Sequence, residues 1–131
     1  LTTAGLVGHA QSLARTLAAE VSLFELRRND QMTVKGAATL TANILSGRPH
    51  WVQLLIVGVD GDGSTVYSID SAVGSIPDVY CATGSGSPYM YGVLEDGYRD
   101  GMTRKEAINL AARALSASGQ RDAASGNGMD L

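Results

Sequence analysis

The chain has one cysteine, Cys81, which excludes an intrachain disulfide and suits a reducing compartment. Phenylalanine and tryptophan also occur once each, so Ala, Leu, Val and Ile must supply most of the packing. The two histidines, His9 and His50, are far apart in sequence, and no Cys/His spacing suits zinc, so no metal site is expected. Positive charge is sparse, with ten Lys and Arg against thirteen Asp and Glu, a net of −3. The basic residues are scattered apart from Arg27-Arg28, and that distribution excludes the basic stripe of an electrostatic nucleic-acid binder. The longest apolar run, Leu54-Leu55-Ile56-Val57, is far too short to cross a bilayer. Leu1-Thr2-Thr3-Ala4 lacks the basic start and apolar core of a signal peptide. These absences predict a cytoplasmic chain with no cofactor, no membrane partner and no nucleic-acid partner.

With 131 residues, 44% hydrophobic and 18% charged, the chain reads as one globular domain spanning 1–131 with a modest core. From Gly8 to Arg28, Ala10, Leu13, Ala14, Leu17, Val21 and Phe24 recur at helical spacings, and Asn29-Asp30 ends the helix. Arg27-Arg28 then sit at the negative end of its dipole. A second helix is expected from Thr33 as N-cap to Leu45, with Ala37, Leu40 and Ile44 inward, stopped by Ser46-Gly47-Arg48-Pro49. Trp51 to Asp60 reads as a strand covered on both faces. Asp60-Gly61-Asp62-Gly63 then makes a hairpin turn into Thr65–Ile69, with Asp-Gly supplying positive φ. The turn is preferred to a calcium loop, because the remaining EF-hand ligands are missing. A third strand is expected over Val79–Thr83, where Cys81 reads as a buried small hydrophobe. Ser87 is expected to cap a helix with Pro88 in its first turn and Met90, Val93 and Leu94 apolar. Thr103-Arg104-Lys105-Glu106 is a capping box for a last helix with Ala107, Ile108, Ala111, Ala114 and Leu115, ending near Gly119. Segregated helices and strands predict an α+β fold.

Two small-residue clusters carry chemistry. Gly84-Ser85-Gly86-Ser87-Pro88 lies between a strand and a helix, where backbone amides can turn toward an anion or a reacting oxygen. It lacks the Lys of a phosphate-binding loop and the second Gly of a nucleophile elbow. From spacing alone, a tight strand-to-helix turn is the preferred reading. In Asp122-Ala123-Ala124-Ser125-Gly126-Asn127-Gly128 the carboxylate and hydroxyl are three residues apart, close enough to share one face of a turn. Such a pair can orient a nucleophile's proton or hold a terminal ammonium. Taken alone, a helix end with a glycine stop is again the preferred reading.

The ordered set of blocks resembles the archaeal-type β subunits of the proteasome, over essentially the whole chain. The blocks are Ala4-Gly5-Leu6-Val7-Gly8-His9-Ala10-Gln11, Glu25-Leu26-Arg27-Arg28, Val52-Gln53-Leu54-Leu55, Tyr67-Ser68-Ile69-Asp70, Gly84-Ser85-Gly86-Ser87-Pro88, Gly92-Val93-Leu94-Glu95 and Asp122-Ala123-Ala124-Ser125-Gly126. The resemblance implies an N-terminal-nucleophile hydrolase fold, with two sheets sandwiched between helix layers. It implies a threonine-type endopeptidase that degrades unfolded proteins inside a barrel. Its partners would be other β subunits and α-type subunits in stacked seven-membered rings, with an ATP-dependent unfoldase. In such enzymes an N-terminal Thr, exposed by self-cleavage, is the nucleophile and its own amine can take the proton. By the same resemblance, Asp122 and Ser125 support that amine and hydroxyl, and Ser85 lies close to the same centre. Gly5 offers an oxyanion-stabilising amide, and Val7 walls the pocket for the substrate side chain.

The resemblance also implies a few dozen residues before Leu1, carrying the nucleophilic Thr, an acidic residue and a lysine, and further strands and a helix after Leu131. Thr2 and Thr3 do not match the nucleophile, because they align with a strand residue ahead of Gly5. The chain is therefore expected to be an incomplete subunit. A non-catalytic structural subunit of the same barrel is the alternative, with a small-ligand binder using the Gly84–Ser87 turn a third.

Overall fold

The computed structural model describes residues 1–47, 50–70, 72 and 74–131. Along them run β1 (Thr2–Gly5), α1 (Val7–Arg28), α2 (Val34–Ser46), β2 (Val52–Asp60), β3 (Gly63–Asp70), β4 (Gly74–Asp78), α3 (Ser87–Gly97) and α4 (Arg104–Arg121). The content is α+β, in two compact units, Leu1–Thr83 and Gly84–Leu131.

In the first unit the four strands form one antiparallel sheet in the order β1-β2-β3-β4. Alternation along β2 turns Val52, Leu54 and Ile56 to one side, where they are buried with Tyr67 and Ile69 of β3. Ala10, Leu13 and Leu17 of α1 and Ala38 and Leu45 of α2 complete this core. Thr41 is buried among them at no polar cost, because its hydroxyl donates to the Ala37 carbonyl at 2.7 Å.

Specific contacts fix the helices to the sheet. The Leu6 amide donates to the Trp51 carbonyl at 2.9 Å, and the Trp51 amide reaches Nδ1 of His9 in the first turn of α1 at 3.4 Å. At the other end of β2, Asp60 Oδ2 accepts from the Val34 amide at 2.8 Å, placing a carboxylate at the α2 N-terminus. Gly58 makes the close approach possible, since a Cβ there would lie 2.6 Å from Cγ2 of Val34. Asn29, at φ 52°, ends α1 in the left-handed conformation, one that Asn tolerates better than most residues.

Several expectations need correction. Val79–Thr83 is irregular, and the third strand of the meander is Gly74–Asp78, five residues earlier. Pro77 disguises it, because proline is compatible with a strand only where no ladder N–H is needed, and β4 is an edge strand. β2 is covered on one face in this unit, with Val57 59% and Val59 79% exposed on the other. In α2 the deepest row is Ala38, Thr41 and Leu45, one position on from the expected row, although Leu40 and Ile44 still pack at its margin. The β2–β3 turn forms as expected, but its positive φ belongs to Gly63, while Asp60 Oδ1 accepts from the Asp62 amide. The expected stop at Arg48-Pro49 lies outside the described residues.

In the second unit α3 and α4 pack on each other. A Cβ at Gly97 would fall 2.4 Å from Cδ1 of Leu110, so the glycine that ends α3 also admits the buried leucine of α4. The Thr103–Glu106 capping box forms in both directions. The Thr103 amide, followed by the Thr103 hydroxyl, holds the Glu106 carboxyl below its ordinary pKa. Gly86, not Ser87, is the N-cap of α3, with no side-chain cap, and Pro88 falls in the first turn as expected. The last helix runs through Gly119 to Arg121, with Leu110, Ala114 and Ser118 buried and Ile108 39% exposed.

Leu54 is wholly buried, so Leu54→Ala should destabilise the first unit by roughly 2–5 kcal/mol. Val59→Thr, on the open face, should change stability by no more than about 0.5 kcal/mol. Denaturant unfolding of both variants checks the assigned strand face, and equal losses would contradict it.

Candidate functional site

Three residues singled out from the sequence meet inside the second unit. Gly84, at φ 94°, turns the chain and presents Ser85 just ahead of α3. Asp122 is the C-cap of α4, and at φ −100° and ψ 117° it takes the backbone out of the helix. The Ser125 amide returns to the Asp122 carbonyl at 3.2 Å, closing a turn that brings the serine back over the aspartate. Oδ2 of Asp122 then accepts from the Ser85 hydroxyl at 2.6 Å and the Ser125 hydroxyl at 2.7 Å. Oδ1 accepts from the Ala124 amide at 3.3 Å. The shared face of a turn expected for Asp122 and Ser125 is present, and Ser85 joins it across 37 positions of sequence.

Sequence reading missed a fourth member. Ser118, 4% exposed in the last turn of α4, has its hydroxyl 2.8 Å from that of Ser125. The only sequence signal was that Ser118 stands four residues before Asp122, one helical turn back along α4, a spacing that does not mark it as buried. Gly86 makes room for the group, since a Cβ there would lie 1.8 Å from the Ser118 oxygen and 2.9 Å from that of Ser125.

The electrostatics define what this arrangement can do. Hydrogen bonds from Ser85 first, and then Ser125, hold the Asp122 carboxyl below the ordinary aspartate pKa, against a smaller opposing effect of burial. A carboxylate so stabilised is a poor base at neutral pH, and its two hydroxyls are committed to it as donors. Neither serine is therefore activated as a nucleophile. What remains exposed to a ligand is lone pairs beside a negative charge, a surface suited to an N–H donor such as an ammonium.

Gly5 and Val7 belong to the first unit. Gly5 closes β1 at φ 113°, paired with Val52, and a Cβ there would lie 2.3 Å from the Trp51 carbonyl oxygen, so glycine is required. Val7 is the first residue of α1 and is 67% exposed. In the same unit the rings of His9 and His50 stand edge to face, 5.6 Å apart between centroids, although 41 positions separate them in sequence. No group of three or more His, Cys, Asp or Glu side chains that could hold a metal occurs among the described residues. Cys81 is half-buried, and burial and then the Asp78 charge raise its pKa, which disfavours the reactive thiolate. Among the described residues no helix is long and apolar enough to cross a membrane.

The lowered pKa carries a sign. Asp122 stabilises the fold fully above the ordinary aspartate pKa of about 3.9, and this contribution is lost as pH falls through the lower folded value. Carboxyl-carbon NMR titration should place the Asp122 midpoint below that of free aspartate. Ser85→Ala should raise it, and Ser125→Ala should raise it less. A wild-type midpoint at or above the ordinary value would show that the hydrogen bonds do not hold the charge.

Comparison with known proteins follows the same blocks of sequence. The proteasome subunit family matches residues 1–131. A protein named proteasome subunit beta from Methanobrevibacter smithii is 51% identical over 127 residues, covering 97% of this chain and 62% of that one. Its namesake in Methanosphaera stadtmanae is 46% identical over 130 residues, covering 99% and 63%. That of Methanosarcina barkeri is 51% identical over 135 residues, covering 100% and 64%. The chain thus spans a little under two-thirds of the length of these curated relatives. With the family matched from Leu1 to Leu131 and the β-type relatives alike across it, the chain belongs to the proteasome subunit family, as a β-type member.

Proposed function

We propose that the full-length protein is a threonine-type endopeptidase. It would work in the cytoplasm, within a barrel of stacked seven-membered rings of β and α-type subunits, on unfolded proteins delivered by an ATP-dependent unfoldase. The observation that carries this reading is the Ser85–Asp122–Ser125 cluster, an acceptor-rich anionic site built by one carboxylate and two hydroxyls. A structural subunit has no use for such a site, whereas an N-terminal Thr needs its amine held and correctly protonated. In this reading the amine donates to a lone pair of Ser125 and is attracted by the Asp122 charge. The Thr hydroxyl attacks the peptide carbonyl after passing its proton to the neutral form of that amine.

The amide of Gly5 would stabilise the oxyanion, and Val7, exposed at the head of α1, would line the pocket for the substrate side chain. Ser85 shares the Asp122 carboxylate and orients the same centre. The chain forms part of a single domain, a sandwich of two sheets between helix layers. In that sandwich the open face of β2, with Val57 and Val59, would pack against the second sheet.

The full-length protein, expressed with its partner subunits, should cleave fluorogenic peptides and lose activity to a Thr-directed covalent inhibitor. Asp122→Asn should lower kcat about a hundredfold, the scale of a misplaced reacting group, in particles that still assemble. Assembled particles that cleave nothing, with no Thr at the mature N-terminus, would favour the structural reading.

A further inference from the structure

We infer that Ser118 is a positioning residue of this site: it donates to Ser125, occupies one of that hydroxyl's two lone pairs, and so directs the Ser125 proton to Asp122 and its remaining lone pair outward to the amine. The last step rests on the peptidase reading; the rest stands on the hydrogen bonds alone.

Distance leaves the direction of the Ser118–Ser125 bond open, because either oxygen can donate across 2.8 Å. Counting protons closes it. An ionised carboxylate has none to give, so Ser85 and Ser125 both donate to Asp122. Ser125 has a single proton, already committed, and accepts from Ser118. Three hydroxyls thus run in one direction toward the charge, Ser118 to Ser125 to Asp122, with Ser85 arriving separately. Each donor in such a chain polarises the next, so donation from Ser118 strengthens the bond from Ser125 to Asp122.

The position of Ser118 suits the task. It stands on the last turn of a long helix, is nearly sealed from solvent, and its oxygen fills space that exists only because residue 86 has no Cβ. Ser125, by contrast, sits on the segment after the helix and is half-buried. A rigid donor therefore sets the orientation of a hydroxyl on a less constrained one.

The test uses the full-length, assembled protein with Ser118→Ala, Ser118→Thr and Ser118→Cys, each checked for assembly and melting. Ser118→Ala should lower kcat about tenfold at unchanged KM, and a high-resolution crystal structure should show Ser125 divided between two rotamers. Ser118→Thr, which keeps the donor, should restore both. Should the alanine variant fail to assemble, Ser118→Cys, a weak donor, should show the same changes to a lesser degree. A single Ser125 rotamer at its 2.7 Å distance from Asp122, with wild-type kcat, in a donor-deficient variant would overturn the inference. If the wild-type particle cleaves no peptide, the peptidase reading fails, and the Ser125 rotamer still decides the role of Ser118.

Discussion

A single negative charge organises the second unit. Asp122 leaves α4 at the point where its carboxylate can collect the Ser85 hydroxyl, the Ser125 hydroxyl and the Ala124 amide. The donors come from the turn ahead of α3 and from the turn after α4, so the charge ties the entrance of one helix to the exit of the other. A charged acceptor makes each of these bonds stronger than one between neutral groups. Gly86 is the steric counterpart, because a Cβ there would displace the Ser118 hydroxyl and crowd that of Ser125. The chemistry open to the site follows from the same constraint: committed donors leave lone pairs beside a charge, an arrangement suited to an N–H donor.

The first unit depends on a different economy. One face of the meander buries Val52, Leu54, Ile56, Tyr67 and Ile69 under α1 and α2, which fixes the register of β2 on β3, because a one-residue slip would exchange the faces. The ends of β2 are then used to anchor the helices, Trp51 to α1 and Asp60 to α2. Gly5 closes β1 where only glycine fits, immediately before α1 begins at Val7.

Much of this was legible in the sequence where a local rule and the tertiary structure agree. The helix from the Gly8 region to Arg28, the Thr103–Glu106 box and the Asp60–Gly63 turn each carry their own local signal. Pro77 hid β4 because sequence cannot tell an edge strand from a central one, and the edge is what makes proline acceptable. The apolar run of β2 looked covered on both sides because hydrophobicity alone does not say which face meets the helices. Asp122 and Ser125 were legible as a pair through their spacing. Their link to Ser85 was suggested by family resemblance, and Ser118 was missed because a serine in an amphipathic helix carries no mark of being buried.

The central claim is that the Asp122 cluster receives an amine. A crystal structure of the full-length assembled protein tests it most directly. The account predicts an N-terminal Thr amine about 3 Å from the Ser125 hydroxyl, beside an ionised Asp122. A cluster unchanged in geometry but with the chain's amine far outside hydrogen-bond reach would contradict it.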